Sequence, residues 1–161
     1  MGKYYDFDHS IIDMAEDFYN AYLRCSEGKN GHIDEYGRYR EECVFVPAVV
    51  NGSFAMELYL KSISENWGPS LKALFESLSD DDRAAIQKEV KTGNLYTYSF
   101  EDGLIIIDDA FEYWRYLHEK TDFGKGIRAI NTVLKVLPAF LEGIRKLAKN
   151  RWEENHKAEE Q

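Results

Sequence analysis

From Ser10 to Arg24, apolar residues return at steps of three and four: Ile11, Met14, Ala15, Phe18, Ala21 and Tyr22. That is the period of an α-helix with one buried face, and it predicts a first helix. Between Cys25 and Arg40 no apolar period survives and Gly28, Gly31 and Gly37 stand among charged residues, so a loop is predicted there. A second helix is predicted from Glu41 or Pro47 to Asn66. Phe45, Val46, Val49, Val50, Phe54, Leu58 and Leu60 leave it apolar nearly all round, as expected at the centre of a bundle. Pro47 is tolerated near the first turn, where a helix needs no donor, and Trp67-Gly68-Pro69 ends the element.

Leu71, Leu74, Phe75 and Leu78 predict a short third helix. Ser79-x-x-Asp82 has capping-box spacing and opens a fourth, which ends near Thr92-Gly93. After a tyrosine-bearing connector, a fifth helix from Phe100 to Glu119 carries Leu104, Ile107, Phe111, Trp114 and His118 on one side. Asp122 to Gly126 reads as a turn. In the last helix Ile127, Ile130, Leu134, Leu137, Leu141, Ile144 and Ala148 form a seam suited to packing on the bundle or on a second copy. Pro138 is expected to kink it, and the charged stretch from Asn150 is expected to fray. The predicted fold class is all-α: a single-domain bundle of about five or six helices over residues 1–150, followed by a charged tail over 151–161.

Composition narrows the function classes. The 161 residues, 44% hydrophobic and 14% aromatic, suffice for one core and are too few for two ordinary ones. With 29 acidic and 20 basic residues the formal charge is −9, which argues against a broad phosphate-backbone footprint. Cys25 and Cys43 have no second pair or neighbouring histidines, so neither a zinc site nor a disulfide framework is implied. No apolar run approaches the roughly 20 residues that span a bilayer, and the aromatic, acidic N-terminus is unlike a signal peptide. A cytoplasmic protein without metal, cofactor or membrane association is expected.

Candidate chemistry comes from ionisable residues on apolar faces. At about 100° per residue, Glu57 and Lys61 fall within the arc of Cys43, Val50, Phe54 and Leu58 on the second helix. Asp108, Arg115 and His118 share the arc of Leu104, Ile107, Phe111 and Trp114 on the fifth. A charge turned inward needs a partner. Glu57 and Arg115 are therefore predicted to belong to one buried network, with Lys61, Asp108 and His118 as further members. Such a network can fix helix register or line a ligand cleft.

The same residues carry a resemblance. The run Phe45-Val-Pro-Ala-Val-Val-Asn51-Gly-Ser-Phe54-Ala-Met-Glu57-Leu-Tyr-Leu-Lys61 resembles the HEPN-domain helix that holds an alanine-rich stretch, a Glu and a following Lys. Leu71-Lys-Ala-Leu74-Phe75-Glu-Ser-Leu78 resembles the short leucine-rich element after it, and Ala110-Phe111-Glu-Tyr-Trp114-Arg115-Tyr116 resembles the later helix ending in Arg-Tyr. The resemblance implies a compact helical bundle that often dimerises, found in prokaryotic toxin–antitoxin and anti-phage systems. Its members act as ribonucleases or as partners of nucleotidyltransferases.

Two departures bear on activity. The short element of the family usually opens with a His, where this chain has Ser70 before Leu71. Catalytic members place four to six residues between an Arg and a His, whereas Arg115 and His118 are separated by two. A formal match, Arg151-Trp-Glu-Glu-Asn-His156, lies in the acidic tail and is read as chance.

The function expected first is a non-catalytic HEPN-like module of a defence or toxin–antitoxin system that binds a partner protein or a nucleotide-like ligand. Arg115 would hold an anionic group, Tyr116 would stack or hydrogen-bond, and Glu57 and Lys61 would shape the pocket. The partners expected are a second copy of the chain, a nucleotidyltransferase, an antitoxin or another defence protein, with RNA as a further candidate. The first alternative is a metal-independent ribonuclease in which His118 is the general acid or base and Arg115 stabilises the developing charge. The second is an acidic inhibitor of a nucleic-acid-binding protein, with Asp80-Asp81-Asp82 as its main feature. Gly124-Lys125-Gly126 suits a plain turn better than an anion site.

Overall fold

Ser10 opens the first helix by a reciprocal cap. Its hydroxyl accepts the Asp13 N–H while the Asp13 carboxylate accepts the Ser10 N–H, so two groups at the helix start find partners. The chain that follows, in the computed structural model, is described at residues 10–27, 31–33, 35–37, 39–41, 45–64, 66–68, 70–115 and 123–159. Side chains are described except at 31–33, 39–41, 111–115, 123–131, 156 and 158–159. Among these residues the fold is an all-helical bundle: α1 (Ile11–Ser26), α2 (Phe45–Ile63), α3 (Leu71–Glu76), α4 (Asp80–Thr92), α5 (Phe100–Arg115) and α6 (Phe123–Glu159).

The expected loop after α1 contains a small ribbon. β1 (Gly31–Ile33) pairs antiparallel with β2 (Tyr39–Glu41), His32 facing Arg40 in the register. Ladders of three residues carry too little pattern to be read from an alternation of apolar and polar positions.

The buried stripe of α1 is Ile12, Ala15, Tyr19 and Tyr22: Ala15 and Tyr22 of the predicted stripe are buried, while Ile12 and Tyr19 take the inner places expected for Ile11, Met14, Phe18 and Ala21. Met14 is 42% exposed. Both stripes have helical spacing; the observed one turns two tyrosines inward, and their hydroxyls can reach polar partners from an apolar seat. Phe18 keeps part of its burial by stacking on Phe54 of α2.

α2 lies among α1, α3, α5 and α6. Pro47 is its third residue, as its missing donor requires. Its inner faces are built from Ala48, Val49, Ala55, Met56, Tyr59 and Leu60, each 0–1% exposed. α3 begins at the N-cap Ser70, whose hydroxyl accepts the Ala73 N–H, and α4 at the N-cap Ser79, whose hydroxyl accepts that of Asp82. Phe100 joins three helices through aromatic contacts, to Phe75 of α3 and to Phe140 of α6.

α6 is longer than predicted at both ends. It begins at Phe123, so Gly124-Lys125-Gly126 is helical where a turn was expected. It also continues through Glu159 where fraying from Asn150 was expected, because Arg151 is tied to Asp82 at the start of α4. Pro138 sits inside the helix. At 1.5 Å per residue, 37 residues extend about 55 Å. Leu137, Leu141, Ile144 and Ala148 of the predicted seam are buried, joined by Val133, Val136 and Phe140. Ile127 and Ile130 have side chains outside the described residues.

Candidate functional site

α2 is apolar nearly all round, and that makes its charged pair conspicuous. Glu57 is 6% exposed, and Lys61 Nζ lies 2.5 Å from its Oε1. Four residues apart with Glu first, the two side chains meet on one face in the favourable order for a helix. On an exposed helix the pair would contribute only about 0.3 to 0.5 kcal/mol; here both side chains are withdrawn from water. Ser53 precedes Glu57 by one turn on the same face, is fully buried, and its hydroxyl has no hydrogen-bond partner among the described residues. α2 packs against α5 as well as α1 and α6.

Asp108 of α5 is placed elsewhere. The Ser70 hydroxyl donates to both carboxylate oxygens at 3.1 Å, and the Lys72 N–H donates to Oδ1 at 3.2 Å. The carboxylate thus fastens α3 to α5 and complements the exposed N–H groups at the start of α3. Ser70, the N-cap of α3, is half of that fastening. Arg115 is the last residue of α5; its side chain, and Tyr116 and His118 entirely, lie outside the described residues, as do Cys43 and His9.

A second polar cluster, which sequence reasoning missed, ties α1, α2 and α6 together. Glu16 receives two hydrogen bonds from Arg145, Nε to Oε1 at 2.8 Å and NH2 to Oε2 at 3.0 Å, in the bidentate geometry that suits a carboxylate. The fully buried Tyr59 donates its hydroxyl to the same Oε1 at 2.5 Å, and Lys149 Nζ lies 3.6 Å from Oε2. The Arg145 guanidinium lies 4.2 Å above the centre of the Tyr19 ring, a cation–π contact, while the Tyr19 hydroxyl donates to Glu142.

These contacts set the ionisation of the cluster. Burial pushes the Glu16 carboxyl up, but hydrogen bonds from Arg145 and Tyr59 and the charges of Arg145 and Lys149 outweigh it, and its pKa ends below the ordinary 4.5. Burial, then the bond to Glu142, push the Tyr19 hydroxyl up to about 12. Burial and the bond to Glu16 raise Tyr59 further, and the bond to Glu16 raises Arg145. The cluster is thus a fixed ion pair with two neutral phenols across the neutral range, fit for holding helices together and without a group ready to exchange a proton. In the fold Glu16 and Arg145 each adjoin a buried position, Ala15 and Ile144, so their long side chains can lie along the helix interface.

Arg151, the arginine of the chance motif, is committed to structure. Its Nε and NH2 donate to Asp82 Oδ1 at 2.9 and 2.6 Å, and NH1 donates to Glu154 at 2.9 Å. The same bonds take Asp82 out of the acidic run, while Arg83 pairs with Asp80. Among the described residues no group of three or more His, Cys, Asp or Glu is placed to hold a metal ion, and no helix is long and apolar enough to cross a membrane. No protein-family model matches the chain, and neither a curated protein nor a solved structure does.

Proposed function

We propose that the chain is a HEPN-like, non-catalytic module of a prokaryotic toxin–antitoxin or anti-phage system, binding a partner protein or a nucleotide-like ligand through the α2 face that carries Ser53, Glu57 and Lys61. The observation that carries this reading is the Glu57–Lys61 pair, two charges 2.5 Å apart on the most apolar helix of the bundle, with Glu57 6% exposed. A register device would need only one charged pair, whereas the buried Ser53 hydroxyl one turn away extends the polar strip along α2. Arg115, Tyr116 and His118, at the end of that helix in sequence, are the groups proposed to complete it, Arg115 by holding an anionic group bidentately. The separation of Arg115 from His118 and the Ser70 in place of a His support binding over cleavage.

The test is co-expression with the product of an adjacent nucleotidyltransferase or antitoxin gene. Co-elution in size-exclusion chromatography that Arg115→Glu abolishes supports the reading; independent elution of the two proteins defeats it. RNA incubated with the purified chain in the absence of metal should stay intact. Cleavage that disappears in Arg115→Ala or His118→Ala would replace the binding module with a ribonuclease. The module is proposed to pair with a second copy through α5 or α6, and a monomer mass in light scattering at micromolar concentration would refute that part.

A further inference from the structure

We propose that the cavity between the C-terminal end of α4 and the middle of α6 binds a small planar aromatic anion of nucleoside-monophosphate size, its ring against Tyr96 and its anionic group on Lys135. This site is separate from the α2 face. Its volume, about 470 Å³, falls within the range of small-molecule pockets.

The cavity is shaped by backbone that approaches closely. A Cβ on Gly93 would stand 2.7 Å from the Ala139 Cβ, and one on Gly143 would stand 2.8 Å from Val90 Cγ2, so the end of α4 sits directly on α6. From this junction the connector turns outward and places Tyr96 in the left-handed region, at φ 56°, a conformation costly for a residue with a ring. Two hydrogen bonds hold the turn: the Tyr96 N–H donates to Asn94 Oδ1 at 2.9 Å, and the Tyr98 N–H donates to the Leu95 carbonyl at 3.0 Å. Leu95 and Tyr98 pack on the core on either side, while Tyr96 remains 63% exposed. An aromatic ring is thereby presented to solvent on a braced backbone, which lowers the entropy lost when a flat ligand stacks on it.

The polar groups around the ring suit an anion with donor groups. Lys135 Nζ lies 5.7 Å from the centre of the Tyr96 ring and makes no ion pair among the described residues. Lys146 is already neutralised by Glu89 at 2.8 Å, so Lys135 is the cation in the cavity left to meet an anion. Leu134, Pro138 and Ala139 supply an apolar floor. Pro138 has no N–H, so the Leu134 carbonyl loses its helical donor and is left to accept from another group. A ring carrying an amino or hydroxyl donor and a phosphate matches these three elements together: a stacking face, a cation and an unclaimed acceptor.

Isothermal titration calorimetry with adenosine monophosphate tests the site. Saturable binding is expected, with adenosine and inorganic phosphate each at least about tenfold weaker, since stacking and the ion contact each contribute on the order of one decade. Tyr96→Asn, which keeps a residue tolerant of the left-handed region while removing the ring, should weaken binding about tenfold, as should Lys135→Gln. Tyr96→Phe should stay within about threefold, because it keeps the stacking face. Unchanged melting temperatures in the surface variants keep a binding loss from being read as unfolding. Absence of saturable binding, or affinity unchanged in Tyr96→Asn, overturns the proposal. Affinity lost in Lys61→Met but kept in Tyr96→Asn also overturns it, and moves the ligand to the α2 face.

Discussion

Glu57 and Tyr59 are two residues apart on α2, both buried, and about 200° apart around the helix. Tyr59 points to the junction with α1 and α6, where its hydroxyl, Arg145 and Lys149 converge on Glu16. Glu57 meets Lys61 of its own helix, beside the Ser53 hydroxyl. The first cluster joins three helices and gives its carboxylate three donors. In the second, Glu57 and Lys61 pair within one helix, four residues apart on α2. The buried Ser53 hydroxyl, without a hydrogen-bond partner among the described residues, lies on the same face of α2 one turn from Glu57, and this is why we place the proposed function on the Ser53, Glu57 and Lys61 face.

The largest effect is expected from Lys61→Met. Taking the cation from a carboxylate 6% exposed should lower stability by about 3 kcal/mol in urea denaturation. The double variant Glu57→Leu with Lys61→Met should recover most of that loss, since an apolar pair of similar volume replaces a buried ion pair at little cost. A loss below about 1 kcal/mol in the single variant would show that another cation serves Glu57. Repeating the measurement in an Arg115→Met background then asks whether Arg115 is that cation.

Arg145→Met should cost less, about 2 kcal/mol, although it removes two charge-assisted hydrogen bonds. Glu16 keeps the Tyr59 hydroxyl and Lys149, and its side chain is 27% exposed, so water and the remaining donors absorb part of the charge. A larger loss than in Lys61→Met would reverse the comparison between the two clusters. Tyr59→Phe should be milder again, about 1 kcal/mol, because it removes one hydroxyl and preserves the ring in the core. Thermal unfolding of the two variants side by side gives the ranking.

Most of the bundle was legible because long helices repeat their apolar positions many times. α2 and the C-terminal half of α6 follow from such positions, and Ser79 marks the start of α4 through local chemistry, whereas the caps at Ser10 and Ser70 are seen only in the fold. The ribbon of β1 and β2 was not legible, since three residues a strand give no repeat to count. The buried face of α1 was read only in part, Ala15 and Tyr22 but not Ile12 and Tyr19, because two apolar stripes overlap and only packing chooses between them. For the polar residues the same limit has another form. Glu57 and Lys61 stand out on an apolar helix, whereas Glu16 and Arg145 occupy ordinary polar positions and acquire meaning only when residues 129 apart in sequence meet. Asp108 was singled out as an inward-facing acid for the Glu57 network, yet its partner, Ser70, lies on another element and no helical wheel could name it.

The smallest effect separates the clusters by pH. Glu16 has a folded-state pKa lowered below 4.5, burial opposing but Arg145 and Tyr59 prevailing. A depressed carboxylate contributes stability that is fully present above its unfolded pKa, where both states are ionised; between the unfolded and folded values the unfolded chain binds a proton that the folded chain does not, so the contribution disappears as pH falls through the folded value. The stability gap between the wild type and Glu16→Gln should therefore be constant from pH 7 down to about 5 and shrink below 4.5. Urea denaturation at pH 7, 5, 4 and 3 measures it. A gap that stays level down to pH 3 would mean that the Arg145 clamp acts through packing of its side chain over Tyr19 rather than through the Glu16 charge, and the α1–α2–α6 cluster would then owe its role to the cation–π contact.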